Sequence, residues 1–116
     1  MHELSVCQSL LRVIEDHLPS TDCRVTVVRL RIGALSTIVP EAMHAAFPIA
    51  SESTAAEGAE LQISRVPIAV RCEDCGGRTE LDAPPIICGF CGSVRVRVEA
   101  GDELLIESFD VEEPEV

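Results

Sequence analysis

The feature that most limits how this chain can fold is a doubled pentapeptide, "CEDCG" and "CGFCG". Cys72 and Cys75 make the first Cys-x-x-Cys, and Cys88 and Cys91 make the second. Each copy ends in a glycine, Gly76 or Gly92, and 12 residues lie between Cys75 and Cys88. A Cys-x-x-Cys turn points two sulfurs the same way, and a following glycine can take positive φ to tighten it. Two such knuckles supply four thiolates, the donor set of a tetrahedral zinc site. The stretch between them, with Pro84 and Pro85, is only long enough to bring the knuckles face to face. Four thiolates close the coordination shell, so a structural zinc is expected, with a four-thiolate iron site or a dithiol redox pair as alternatives. Zn²⁺ with four thiolates carries a net charge of about −2. Arg71, Arg78, Arg95 and Arg97 either offset that charge or are solvated residues of strands and loops.

The rest of the chain reads as α+β. From Leu4 to Leu18 the apolar residues Leu4, Cys7, Leu11, Ile14 and Leu18 follow a helical stripe. Ser5, Gln8, Arg12, Glu15 and Asp16 take the opposite face, and Pro19 ends the helix because it cannot donate the next backbone hydrogen bond. Arg24 to Ile32 is β-branched and alternating, a half-buried strand that stops at Gly33. "VPEAMHAAFPIAS" predicts a second helix with Pro40 in its first turn, where proline is tolerated. Its core stripe is Met43, Phe47 and either Ile49 or Ala50, and Pro48 should kink or shorten it. Leu61 to Val70 is extended and weakened at Pro67; Val94 to Val98 and Glu103 to Val111 are further strands. Val66, Ile68 and Val70 can face Val98, Val96 and Val94, so that Arg71 to Ser93 is an excursion on a two-stranded stem.

Composition narrows the function. The net charge is −11, from 20 acidic residues against 9 basic ones, and every basic residue is arginine. Such a surface repels phosphate backbones, which disfavours a nucleic-acid partner. No apolar run approaches the length of about 20 residues that a membrane helix needs. With no basic and apolar leader at the N-terminus, a cytoplasmic location is expected. In that compartment Cys-x-x-Cys pairs indicate metal rather than disulfides.

The opening "MHELS" offers a second metal site. The α-amine of Met1, the backbone nitrogen of His2 and the His2 imidazole can bind one ion in fused rings. That planar, nitrogen-rich geometry suits Ni(II) or Cu(II), and Glu3 can add its backbone nitrogen or carboxylate. Three residues are a weak motif, and taken by themselves they favour the plainer reading of His2 as a terminal side chain, with Glu3 complementing the helix dipole.

With both ends in view, the chain closely resembles the HypA/HybF family of hydrogenase-maturation nickel metallochaperones. The resemblance runs through "MHELS", "VPEAMHAAF", "AEGAELQI", "CEDCG…CGFCGS" and "GDELLIESFDVE", in that order and over essentially the whole chain. It implies a fold with two helices and a small three-stranded sheet, plus an inserted zinc-ribbon domain. The nickel-binding α/β domain would comprise residues 1–70 and 94–116, and the zinc domain residues 71–93. It also implies a carrier and not an enzyme. His2 would be the essential nickel ligand with Met1 and Glu3 around it, and Cys72, Cys75, Cys88 and Cys91 the zinc ligands. The implied partners are a HypB-type GTPase, the large subunit of nickel–iron hydrogenase and, for some members, urease maturation proteins. A monomer or weak homodimer is expected. The chain departs from the family at Gly89, where proline is common, and at Pro48; neither is a ligand position. No histidine flanks the cysteines, so a mixed Cys/His zinc shell is not available locally.

The remaining candidates have plainer roles. His17 lies in the last turn of the first helix, where the dipole favours an imidazolium. His44 is off the second helix's apolar stripe, while Cys7 and Cys23 are read as small core residues. The rival functions are a zinc-ribbon interaction or nucleic-acid-binding module without mobile nickel, and a thiol oxidoreductase.

Overall fold

A computed structural model describes residues 3–20 and 22–113 of the 116. The first helix, α1 (Glu3–Asp16), buries Val6, Cys7, Leu11 and Ile14. Its stripe is tilted from the expected one: Leu4 is exposed and Val6 is buried in its place. The cause is packing, because α1 lies against α2 (Pro40–Ala50), where the Cys7 sulfur is 3.8 Å from the Met43 sulfur. The chain tightens after Asp16 through bonds from the amides of His17 and Leu18 to Ile14 and Glu15, before Pro19.

α2 begins at Pro40, whose missing N–H is one the first turn leaves unpaired in any case. Pro48 does not end the helix early. It sits in the last turn, and the Ser51 amide beyond it bonds the Phe47 carbonyl at 2.9 Å. Met43 and Phe47 are buried as expected; Ala50 is half-buried and Ile49 is 62% exposed.

One three-stranded sheet has the order β2-β1-β6, with β1 (Arg24–Gly33) in the centre, β2 (Glu60–Val66) and β6 (Leu104–Glu112). Val28, Leu30 and Ile32 of β1 are buried, together with Val25. Bonds from Gly33 N–H to the Glu103 carbonyl and from the Thr26 hydroxyl to the Asp110 carbonyl show that β6 runs antiparallel to β1. Arg29 donates two bonds to the Asp110 carboxylate, at 2.9 and 3.0 Å, which hold that carboxyl below its ordinary range.

The extended stretch from Leu61 to Val70 is two strands, divided where Pro67 has no N–H to continue a ladder. After it, β3 (Ile68–Cys72) enters a second sheet of order β4-β3-β5, with β4 (Arg78–Leu81) and β5 (Val96–Ala100). β3 and β5 are antiparallel as expected, but in a different register: Val70 faces Val98 and Cys72 faces Val96. Val66 belongs to β2, so the stem pairs further along the chain, with an irregularity between Ala69 and Val70. β4 was not foreseen; its "RTEL" is too short and polar to announce a strand, yet it makes the stem three-stranded.

The chain divides into two compact units. The first contains Met1–Leu30, Ile38–Ile63 and Ile106–Val116; the second contains Arg31–Thr37 and Ser64–Leu105. Within the second, backbones meet closely at Gly33 and Gly101. A Cβ on Gly33 would lie 2.0 Å from the Gly101 oxygen, and Gly101 itself has φ +105° against the Ile68 backbone. Among the described residues, no helix is long and apolar enough to cross a membrane.

Met43 is fully buried between the helices, so Met43→Ala should cost about 2–5 kcal/mol of stability in urea denaturation. Ile49→Ala, on the exposed side of the same helix, should stay within about 0.5 kcal/mol of the parent.

Candidate metal centre

The four knuckle sulfurs converge. Those of Cys72, Cys75, Cys88 and Cys91 all lie within 4.8 Å of one another, with Cys72 to Cys91 at 3.6 Å and Cys75 to Cys88 at 3.5 Å. A tetrahedron with Zn–S bonds of about 2.3 Å has sulfurs about 3.8 Å apart, so the residues present fit a zinc ion.

Local backbone chemistry explains the convergence, and both knuckles use the same pattern. Gly76 and Gly92, at φ +76° and +75°, return their amides to the carbonyls of Cys72 and Cys88, each at 3.0 Å. The first sulfur of each knuckle accepts two amides: Asp74 and Cys75 bond Cys72, and Phe90 and Cys91 bond Cys88. Cys72 and Cys88 are each 2% exposed, whereas Cys75 and Cys91 are exposed residues whose sulfurs are nonetheless gathered in the cluster.

The electrostatics follow from these bonds. The Cys91 and Phe90 amides pull the Cys88 thiol down to about 6, and the Cys75 amide does the most to lower Cys72. Cys91 is pushed up to about 12: the Ser93 amide lowers it, but the Cys72 and Cys88 thiols and burial together raise it more. Cys75 is raised in the same way, the Cys88 thiol and burial outweighing the Gly77 amide. Four crowded thiols therefore compete for negative charge. A divalent cation relieves that competition by taking all four as thiolates.

Side chains outside the cysteine set tie one knuckle to the other. Asp74, inside the first knuckle, accepts bonds from the Ser93 hydroxyl and from Arg95, on the chain leaving the second. The Ser93 hydroxyl oxygen accepts the Arg95 amide, and the Glu73 amide bonds the Arg95 carbonyl at 2.8 Å. Thr79 of β4 accepts the Gly89 amide at 3.0 Å. Sequence reasoning missed Asp74, Ser93 and Thr79; a serine directly after Cys-x-x-Cys-Gly was the available signal. The four arginines resolve as carboxylate partners. Arg71 pairs with Glu99, Arg78 with Glu80 and Glu99, Arg95 with Glu73 and Asp74, and Arg97 with Glu73. Arg71 also reaches the first knuckle directly, through the Gly76 carbonyl.

Of the expected nickel residues, Met1 and His2 lie outside the described residues, and Glu3 is the half-buried first residue of α1. Cys7 is a core residue: burial, then the Glu3 carboxylate, raises its thiol. Cys23 is buried beside the Ser20 hydroxyl, while His17 and His44 are exposed. Among the described residues, the four cysteines are the one cluster of three or more histidines, cysteines and carboxylates able to hold a metal.

A family model described as "Hydrogenase/urease nickel incorporation, metallochaperone, hypA" matches residues 1–111. The chain is 40% identical over 112 residues to hydrogenase maturation factor HypA of Nitrosospira multiformis, covering 96% of this chain and 97% of that protein. To hydrogenase maturation factor HybF of Escherichia coli (strain K12) it is 39% identical over 113 residues, covering 97% and 100%. The solution structure of the Ni metallochaperone HypA from Helicobacter pylori is similar with a TM-score of 0.68 and 26% identity, covering 98% of this chain and all of that one (100%). A second solution structure, of a HypA protein, has a TM-score of 0.71 at 25% identity, covering 98% of each chain.

Stripping the metal with a chelator should abolish slow hydrogen exchange at the Gly76 and Gly92 amides while α1 stays protected at Leu11 and Ile14. Retained protection at both glycines in metal-free protein would contradict a metal-held fold. Asp74→Ala should speed metal transfer to a chromogenic chelator about tenfold, because it removes the charge-assisted bonds that tie the first knuckle to the chain leaving the second. An unchanged rate would leave the Asp74 bonds without influence on the centre.

Proposed function

The chain belongs to the HypA family of hydrogenase maturation factors, and from that premise we propose that it carries Ni(II) on Met1, His2 and Glu3 and delivers it to the large subunit of a nickel–iron hydrogenase. The four cysteines hold a structural zinc. In this reading residues 71–93 form a zinc domain inserted into a nickel-binding domain of residues 1–70 and 94–116.

The observation that carries the proposal is a family match that includes both the Met-His-Glu start and the cysteine pairs in one chain. The cysteine cluster supports a division of labour. Its four sulfurs saturate a tetrahedral ion, which suits a metal that stays. Cargo needs the opposite, ligands that can leave one at a time. The Met1 amine, the His2 amide and the His2 imidazole form such a set, with the nitrogen donors that Ni(II) favours. Glu3 opens α1, so a site on these residues would adjoin the first turn of that helix.

Handover is ligand exchange: each nitrogen of the carrier gives way to a donor of the recipient, and the His2 amide nitrogen, which ligates only after losing its proton, takes one back from solvent as the ion leaves. The expected partners are a HypB-type GTPase and the hydrogenase subunit, or urease maturation proteins where a host uses them, all in the cytoplasm. The net charge of −11 weighs against the rival nucleic-acid module.

His2→Ala should lose tight nickel binding in calorimetry and keep one zinc per chain and the parent's circular dichroism. Affinity in the parent should fall as the pH is lowered, because protons then compete with Ni(II) for the imidazole and the free amine. Nickel bound by His2→Ala as tightly as by the parent would overturn the assignment.

A further inference from the structure

We propose that the open edge of β6, with the apolar groove beside it, docks an extended segment of a partner protein that presents basic residues to Glu107 and Glu112 and apolar residues to Phe109 and Val111. This interaction is independent of the metal reading and lies wholly within the first unit, on Ile106 to Glu112 and the second half of α1.

Three observations support it. In the sheet order β2-β1-β6, β6 has a ladder neighbour on the β1 side alone among the described residues. Its other edge offers N–H and C=O groups to any extended chain that can approach. A groove of about 380 Å³ runs beside it, between Val13 of α1 and His17 just beyond that helix on one side and Ile106, Glu107, Ser108 and Phe109 of β6 on the other. Val13, on its helical wall, is 47% exposed although it is apolar.

The charges select the occupant. Proteins usually guard an edge strand with lysine, proline or a bulge. The chain has no lysine, and the guards on this stretch of β6 are Glu107, Asp110 and Glu112. Asp110 is already bonded to Arg29, and Glu107 and Glu112 have no ion-pair partner among the described residues. The surrounding unit is acidic as a whole: thirteen of the 20 acidic residues fall in it, with three arginines, while the second unit has seven acidic residues and six arginines. A second copy of this chain would bring the same charge to the edge and be repelled. A strand carrying arginine or lysine would be attracted, both at a distance and opposite each carboxylate.

Alternation of side chains sets the pattern. Glu107, Phe109 and Val111 point to one face of β6, and Ser108, Asp110 and Glu112 to the other. An antiparallel partner therefore reads basic, apolar, small polar, apolar, small polar, basic.

The direct test adds the capped peptide Arg-Val-Thr-Val-Thr-Arg to isotopically labelled full-length protein and follows amide shifts and hydrogen exchange. Saturable shifts and slowed exchange confined to residues 106–112, Val13 and His17, absent with Glu-Val-Thr-Val-Thr-Glu, would support the proposal. Glu107→Arg, an exposed change that leaves the fold intact, should weaken the basic peptide at least about fivefold. Shifts scattered over the acidic faces of α1 and α2 would mean diffuse charge attraction and overturn the site. So would no shift at millimolar peptide, or β6 shifts that depend on protein concentration alone, which would assign the edge to a second copy.

Discussion

Convergence of four sulfurs within 4.8 Å is the interaction on which residues 71–100 of the second unit depend. From Arg71 to Ala100 the only buried residues are Cys72 and Cys88, two of the four. A stretch that buries nothing else has no hydrophobic core to oppose its conformational entropy. The sulfur cluster, which fits a metal ion, and the bonds of Asp74, Ser93 and Thr79 stand where that core would be. The first unit is built the other way, on Met43, Phe47, Leu11, Ile14 and the buried face of β1.

That contrast separates two kinds of metal chemistry. A closed thiolate shell resists exchange, which suits an ion that holds a fold together. An ion to be passed on needs exposed donors that a recipient can replace in turn. The family supplies the expectation that one chain contains both, and the two candidate donor sets differ accordingly in chemistry, sulfur in one and nitrogen in the other.

Much of the architecture was legible because it follows from periodicity and from residues with few options. The alternation of Val28, Leu30 and Ile32 gave the central strand, Pro40 the start of α2, and the Cys-x-x-Cys-Gly copies the two knuckles. What was not legible depended on tertiary context. Val6 replaces Leu4 on the buried stripe because α2 decides which side of α1 is covered. Pro48 was overrated as a breaker, since in the last turn it leaves few helical bonds to lose. The stem slipped in register because Val66 was assigned to the stem when it belongs to the other sheet. The Asp74 bonds were signalled only by the serine after the second Cys-x-x-Cys-Gly, since they join residues 19 and 21 apart through a fold that the sulfurs organise.

The central claim is that the two metals occupy chemically different sites, and X-ray absorption at both metal edges on nickel-loaded, zinc-replete protein tests it most directly. The account predicts a nickel shell of nitrogen and oxygen with imidazole scattering, and a zinc shell of four sulfurs at about 2.3 Å. Sulfur in the nickel shell together with loss of sulfur from zinc would place the cargo among the cysteines and contradict it.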